Sequence, residues 1–273
     1  MEYGLRLANP GPLPPDPRTL CSDELGELLP AGALRALYFG SEFCEDLLPD
    51  LAETKEFCAL AQEAGVEAVL LTPLVRPEGL ERLQTLLAAL AGSGLAPAVV
   101  FNDWGVLRLL RAEHPGLVLR AGRLLNRGLR DPRLADEAAG TVQETTRGGP
   151  LRALLQRSGV AAVETDADLE GSYLGDPAPG LQRVLHLPFT FVATGRNCLF
   201  KAEQHQDPKN FAQLLSAGCQ APCRGRWHTV ERTDLQRPLW RAGNTLFQEV
   251  PPSWIEPHLR RADRVVIHER PLP

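Results

Sequence analysis

The sequence predicts an α/β fold, a TIM-like (β/α)8 barrel, on three observations. Short β-like runs alternate with amphipathic helical runs through the first two-thirds of the chain. About eight such strands are counted, which suits a closed barrel of parallel strands. No Gly-x-Gly-x-x-Gly follows the first strand, which disfavours a dinucleotide-binding sheet. The length of 273 residues and a hydrophobic share of 44% are enough for the core of one barrel. Residues 1–273 are therefore read as a single barrel domain.

The strands are expected at Tyr3–Ala8, Leu34–Phe39, Glu67–Thr72, Ala96–Phe101, Leu117–Arg120, Ala161–Glu164 and Arg264–His268. The run Arg183–Ala193 holds one or two more. Helices are expected at Thr19–Leu29, Leu51–Ala64, Pro77–Ala91, Trp104–Glu113, Arg152–Ser158 and Ser253–Ala262. Gly65 suits a helix stop and Pro77 a first helical turn. Two segments break the alternation. Residues 125–150 are polar and Gly-rich and read as a long loop. Residues 195–241 hold three cysteines and several arginines (Arg224, Arg226, Arg232, Arg237, Arg241) with little periodicity, and read as an inserted metal- or cluster-binding segment.

Composition excludes several classes. The apolar content excludes disorder, and 24 Gly without a three-residue period exclude collagen. Apolar runs stay far short of the ~20 residues of a spanning helix. Met1-Glu2-Tyr3 shows no secretory leader, so a cytoplasmic location is expected. The formal net charge of −5 disfavours general nucleic-acid binding. Only Lys55, Lys201 and Lys209 among the 29 basic residues are lysine, a bias read mainly as genome composition.

Cysteine is the informative residue. Six cysteines without an export signal point to metal or redox chemistry more than to disulfides. Cys198, Cys219 and Cys223 form a Cys-x20-Cys-x3-Cys set, stiffened by Pro222. Three converging thiolates repel unless a cation neutralises them, and tetrahedral zinc or a cubane cluster needs a fourth ligand. Cys44 is the expected fourth, because it follows the Leu34–Phe39 strand and barrel sites gather where strands end. Cys198 likewise follows the run Phe189–Ala193. Zinc is the alternative, with His205 or His228 as fourth ligand. Cys58, mid-helix beside Phe57, reads as a core residue, and Cys21 as structural.

These residues resemble the collagenase-like peptidase family (peptidase family U, thirty-two). The resemblance rests on Tyr38-Phe39-Gly40-Ser41-Glu42-Phe43-Cys44, on Phe101-Asn102-Asp103-Trp104-Gly105, on the strand and turn from Pro115 to Asn126, and on the late cysteines preceded by Gly195-Arg196-Asn197. It spans most of residues 1–225. Within the family the chain most resembles the branch that forms one component of an oxygen-independent ubiquinone-hydroxylation pair. The resemblance implies a TIM-like barrel and a 4Fe–4S cluster on Cys44, Cys198, Cys219 and Cys223. It also implies a heterodimer with a homologous subunit, prephenate as oxygen donor and a quinone precursor as substrate. RNA-base hydroxylation by the same family, and a zinc- or cluster-stabilised scaffold without catalysis, are the alternatives. The x20 spacing is longer than that branch implies. No Ser-His-Asp order and no His-Glu-x-x-His supports proteolysis.

Four thiolates saturate a cubane, so a cluster here would carry electrons or hold a loop rather than bind substrate directly. Gly195, Gly218 and Gly225 are expected to free backbone N–H groups for the sulfurs. Glu42, Asn102, Asp103, Arg120, Asn126 and Glu164 stand at expected strand ends and are the candidate catalytic residues. Arg120 and Arg196 suit a substrate carboxylate. Each charge can equally be a loop charge or a barrel salt bridge, and Asp103 can cap the helix at Trp104. Trp227, Trp240 and Trp254 are expected to cover the barrel or face a partner.

Overall fold

A computed structural model describes residues 1–125, 132–133, 149–167, 180–204, 210, 212, 214 and 217–273. Eight strands close a wholly parallel barrel. They are β1 (Glu2–Arg6), β2 (Ala33–Gly40), β3 (Glu67–Leu71), β4 (Ala98–Phe101), β5 (Leu119–Ala121), β6 (Val160–Asp166), β7 (Gln182–Leu187) and, last in the chain, β12 (Arg264–His268). β12 pairs with both β1 and β7, which closes the ring. The predicted α/β barrel is therefore the fold, and each of its strands overlaps a run expected from the sequence.

The helices that pack outside the barrel are built on local signals. Asp50 caps α2 (Leu51–Glu63) by accepting from the Glu53 N–H at 2.9 Å. Pro77 begins α3 (Pro77–Gly92), where its missing N–H costs nothing. Leu83, Leu86, Leu87 and Leu90 form the buried face of α3. They pack on outward-facing strand residues such as Leu37, Leu70 and Val99. The strand residues between these face inward. Ala36, Tyr38, Val69, Leu71, Val100, Val184 and Val266 fill the barrel interior.

One expectation is corrected here. Phe189–Thr194 is not a barrel strand. It is β8, the edge of a separate antiparallel sheet ordered β8-β11-β10-β9, with β9 at His228–Val230, β10 at Leu239–Ala242 and β11 at Thr245–Glu249. This sheet follows β7 and so sits at the C-terminal mouth of the barrel, where β-to-α loops carry function. It reaches from Phe189 to Glu249. Its hairpin turns at Gly243-Asn244, with Gly243 at φ +55, a two-residue turn that glycine favours. Most of 126–150 lies outside the described residues. Among the described residues no helix is long and apolar enough to cross a membrane.

Candidate functional site

Cys44, Cys198, Cys219 and Cys223 line one pocket of ≈ 110 Å³ at the barrel mouth. The rest of the wall includes Phe43, Arg76, Leu124, Arg196, Lys201 and Asn244. Three loops meet there. The first is the loop after β2. The Cys44 N–H donates to Ser41 Oγ at 3.1 Å, and the Glu45 carboxylate accepts from the Arg76 backbone N–H at 2.9 Å. The second follows β8 and opens the short helix Leu199–Ala202. The third carries Cys219 and Cys223 through a turn in which Ala221 holds φ +52, an unusual conformation for a residue with a Cβ. Asn244 ties the first two together, donating from Nδ2 to the Phe43 and Gly195 carbonyls, both at 2.7 Å.

The backbone N–H groups of Asp46, of Phe200 and Lys201, and of Ala221 favour the thiolate forms of Cys44, Cys198 and Cys219 respectively. Cys198 and Cys223 share a thiol–thiol hydrogen bond that draws the Cys198 pKa down and pushes that of Cys223 up. Burial pushes the Cys44 thiol up to about 12 and raises Cys219. The buried Lys201 ammonium lies 3.4 Å from Asp46 and favours the thiolates of Cys198 and Cys219.

Among the described residues no three His, Cys, Asp or Glu side chains converge on a single ion. Tetrahedral zinc needs sulfurs ~3.7 Å apart, from Zn–S bonds of ~2.3 Å. A cubane binds each thiolate at a different corner iron and so sets its ligands wider. Four cysteines on one pocket wall form a donor set whose chemistry suits a cubane cluster, although the close pair Cys198 and Cys223 is spaced as for a single ion. His228 is engaged elsewhere, stacked on Phe200 with ring centroids 4.9 Å apart. His205 lies outside the described residues. Cys58 is buried against the barrel, and Cys21 packs on a separate cluster around Trp254.

The candidate catalytic residues divide. Glu42 is buried against Arg123, whose Nε lies 3.1 Å from Glu42 Oε2 and whose Nη1 lies 2.8 Å from Asp166. Asn102 bolts three strand ends together. Its Nδ2 donates to the Thr72 carbonyl and its Oδ1 accepts from the Leu124 N–H, both at 2.9 Å. Gly122 must be glycine, because a Cβ there would stand 2.2 Å from Asn102 Oδ1. Asp103 caps α4 (Trp104–Glu113) through the Gly105 N–H at 2.6 Å. Arg120 points away from the mouth, pairing with Glu67 at 2.6 Å near the strand starts and donating to Tyr38 OH at 3.2 Å. Glu164 lies mid-barrel, 2.7 Å from His186 Nε2. Only Glu42 and Asn102 stand at the mouth with their side chains buried there, and both are committed to internal partners. Arg196 is exposed at the pocket rim. Asn126 lies outside the described residues.

The three late tryptophans do not group. Trp254 is buried, Trp240 packs on the phenylalanines under the second sheet, and Trp227 is exposed beneath Arg270. Sequence reasoning passed over Arg6, Arg123, His186, His268, Lys201 and Asn244. The available signal for Arg6, His186 and His268 was a polar residue at an inward position of an otherwise apolar strand.

Neither a protein-family model nor a curated protein sequence matches the chain. Among solved structures, the U32 peptidase Mk0906 matches over 100% of this chain and 94% of its own, with a TM-score of 0.47 and 13% identity. The Group IV chitinase of Ostrinia furnacalis matches over 97% of this chain and 91% of its own, with a TM-score of 0.40 and 8% identity.

Proposed function

We propose that the chain is a 4Fe–4S protein of an oxygen-independent hydroxylation system. In this reading Cys44, Cys198, Cys219 and Cys223 hold the cluster. The substrate is a quinone precursor, as for the V component of the ubiquinone-hydroxylation pair, with prephenate as oxygen donor. The chain works in the cytoplasm as one subunit of a heterodimer. The observation that carries the reading is the meeting of four cysteines, far apart in sequence, on one pocket wall. The pathway assignment rests on the sequence resemblance alone.

When bound, the cluster supplies one-electron transfer without an open coordination site. The chain's own residues do the rest. Backbone N–H groups of Asp46, Phe200, Lys201 and Ala221 stabilise thiolate over thiol, and Lys201 offsets part of the added negative charge. Phe43, Leu74 and Leu124 give the pocket an apolar wall that limits water. Arg196 at the rim is placed to meet a carboxylate.

The test is anaerobic purification of the wild type and of Cys219→Ala, with iron, sulfide, zinc and the visible spectrum measured per chain. The expected result is about four iron and four sulfide in the wild type, lost in the variant. One zinc and no iron would sink the redox reading and leave a zinc-stabilised scaffold.

A further inference from the structure

The geometry points to a second binding site, a pocket on the other side of Cys223 that takes a small oxyanion through a carboxylate or phosphate group. The pocket is a cavity of ≈ 170 Å³ lined by Arg6, Arg224, Arg226 and Arg270, with Glu53 and Trp227 beside them. It adjoins the cysteine pocket through the shared wall residue Cys223. The inference stands whether or not the cysteines hold a cluster.

The argument is one of charge balance. Arg224 and Arg226 bring their own counter-charges, Glu53 at 3.3 Å and Glu203 at 3.0 Å. Arg6 and Arg270 do not. Arg6 is 3% exposed and donates only to the neutral carbonyls of Leu7 and Gly40. It makes no ion pair among the described residues. The other arginines that enter the barrel behave differently. Arg123 pairs with Glu42 and Asp166, Arg120 with Glu67, and Arg264 with Glu2 and Glu67. Arg270 rests its guanidinium over the Trp227 ring at 5.9 Å, and its Nε is buried with no acceptor.

Among the described residues neither Arg6 nor Arg270 makes an ion pair, and the one carboxylate in the lining, Glu53, is already paired with Arg224. Buried Arg6 and half-buried Arg270 thus give the cavity an excess of positive charge that an anion would balance. Burial draws the Arg6 pKa down to about 10, a deficit that a bound anion would reverse. Guanidinium presents parallel N–H donors, which match carboxylate and phosphate oxygens in bidentate fashion.

The test uses the full chain at constant ionic strength set with chloride. Inorganic phosphate and malonate are titrated separately, with binding read by calorimetry and by melting temperature. The expected result is saturable binding of at least one of them, weakened about tenfold or more in Arg270→Gln. Arg260→Gln, just after the remote helix Pro252–Leu259, should bind as the wild type does. Saturation by phosphate alone assigns a phosphate-bearing ligand, and by malonate alone a carboxylate. Should Arg270→Gln fail to fold, Arg270→Lys, which keeps the charge and loses the fork, carries the same comparison. Absence of saturation with both anions on the wild type, or equal affinity in wild type and Arg270 variant, overturns the inference.

Discussion

His186 and His268 share a hydrogen bond of 2.7 Å inside the closed barrel, from Nδ1 of the first ring to Nε2 of the second. Glu164 extends the row, 2.7 Å from His186 Nε2. All three side chains are wholly buried. If His186 donates to Glu164, His268 must donate to His186, and its own Nδ1 is left as a lone pair with no donor. If Glu164 is protonated instead, every proton in the row moves one place and the Nδ1 carries one. The row therefore has two states that differ by a proton passed along the barrel axis.

Burial opposes charge in this row. It lowers the His186 pKa to about 3 and that of His268 well below the usual imidazole range, and raises Glu164 to about 7. The signs differ. The imidazole contribution is present above about pH 6.5 and is lost as pH falls toward 3. The Glu164 contribution is present below its unfolded pKa of about 4.3 and is lost as pH rises through 7. Glu164→Gln should therefore gain stability relative to the wild type, on the order of 2 kcal/mol, between pH 5 and pH 8. Urea denaturation at the two pH values measures it, and an unchanged difference would refute the assignment.

Arg123 is wholly buried between Glu42 and Asp166. Arg123→Met strands two carboxylates and should cost roughly 3–5 kcal/mol. Adding Glu42→Gln should recover part of the loss, because one stranded charge is removed. A double variant no more stable than the single one would mean that Glu42 is compensated by another group.

Asp103→Ala tests whether Asp103 is a cap or a catalytic group. Loss of the bond to the Gly105 N–H should cost about 1 kcal/mol and leave iron content unchanged. Lost turnover with unchanged stability would assign Asp103 to the chemistry instead.

Asn244→Ala removes both hydrogen bonds that join the Phe43 and Gly195 loops. The expected cost is about 1–3 kcal/mol, with less iron retained per chain after anaerobic gel filtration. Full iron retention would show that the two loops hold their spacing without the amide.

The barrel was legible because each of its strands is short, apolar and bounded by turn residues, as Val69–Leu71 and Val265–Ile267 illustrate. The second sheet was not, because β9 and β10 are brief and only partly buried, so no period develops. The Gly243-Asn244 turn was the readable cue. The meeting of the cysteines followed from strand ends and spacing, although Phe189–Thr194 reached the mouth by a different sheet. Arg120 and Glu164 stood out in the sequence, with a barrel salt bridge as one reading, but Arg123 and the pairing along the barrel axis were not legible for a physical reason. Arg120, Glu164 and Arg123 lie adjacent only after strands distant in sequence close the ring. Read one at a time, none of them names its partner.

The antiparallel sheet is spliced between β7 and β12, and β12 is the strand that joins β7 to β1. This order has a consequence for assembly during synthesis. Cys44 emerges early, while Cys198, Cys219 and Cys223 follow only after five further barrel strands have been made. Asn244, which draws the two loops together, comes later still. A nascent chain thus presents only one of these four thiols for most of its elongation, and ring closure depends on pairing the most distant strands, an inherently slow step. The four-cysteine wall can therefore assemble only after Cys223 has been made, late in synthesis.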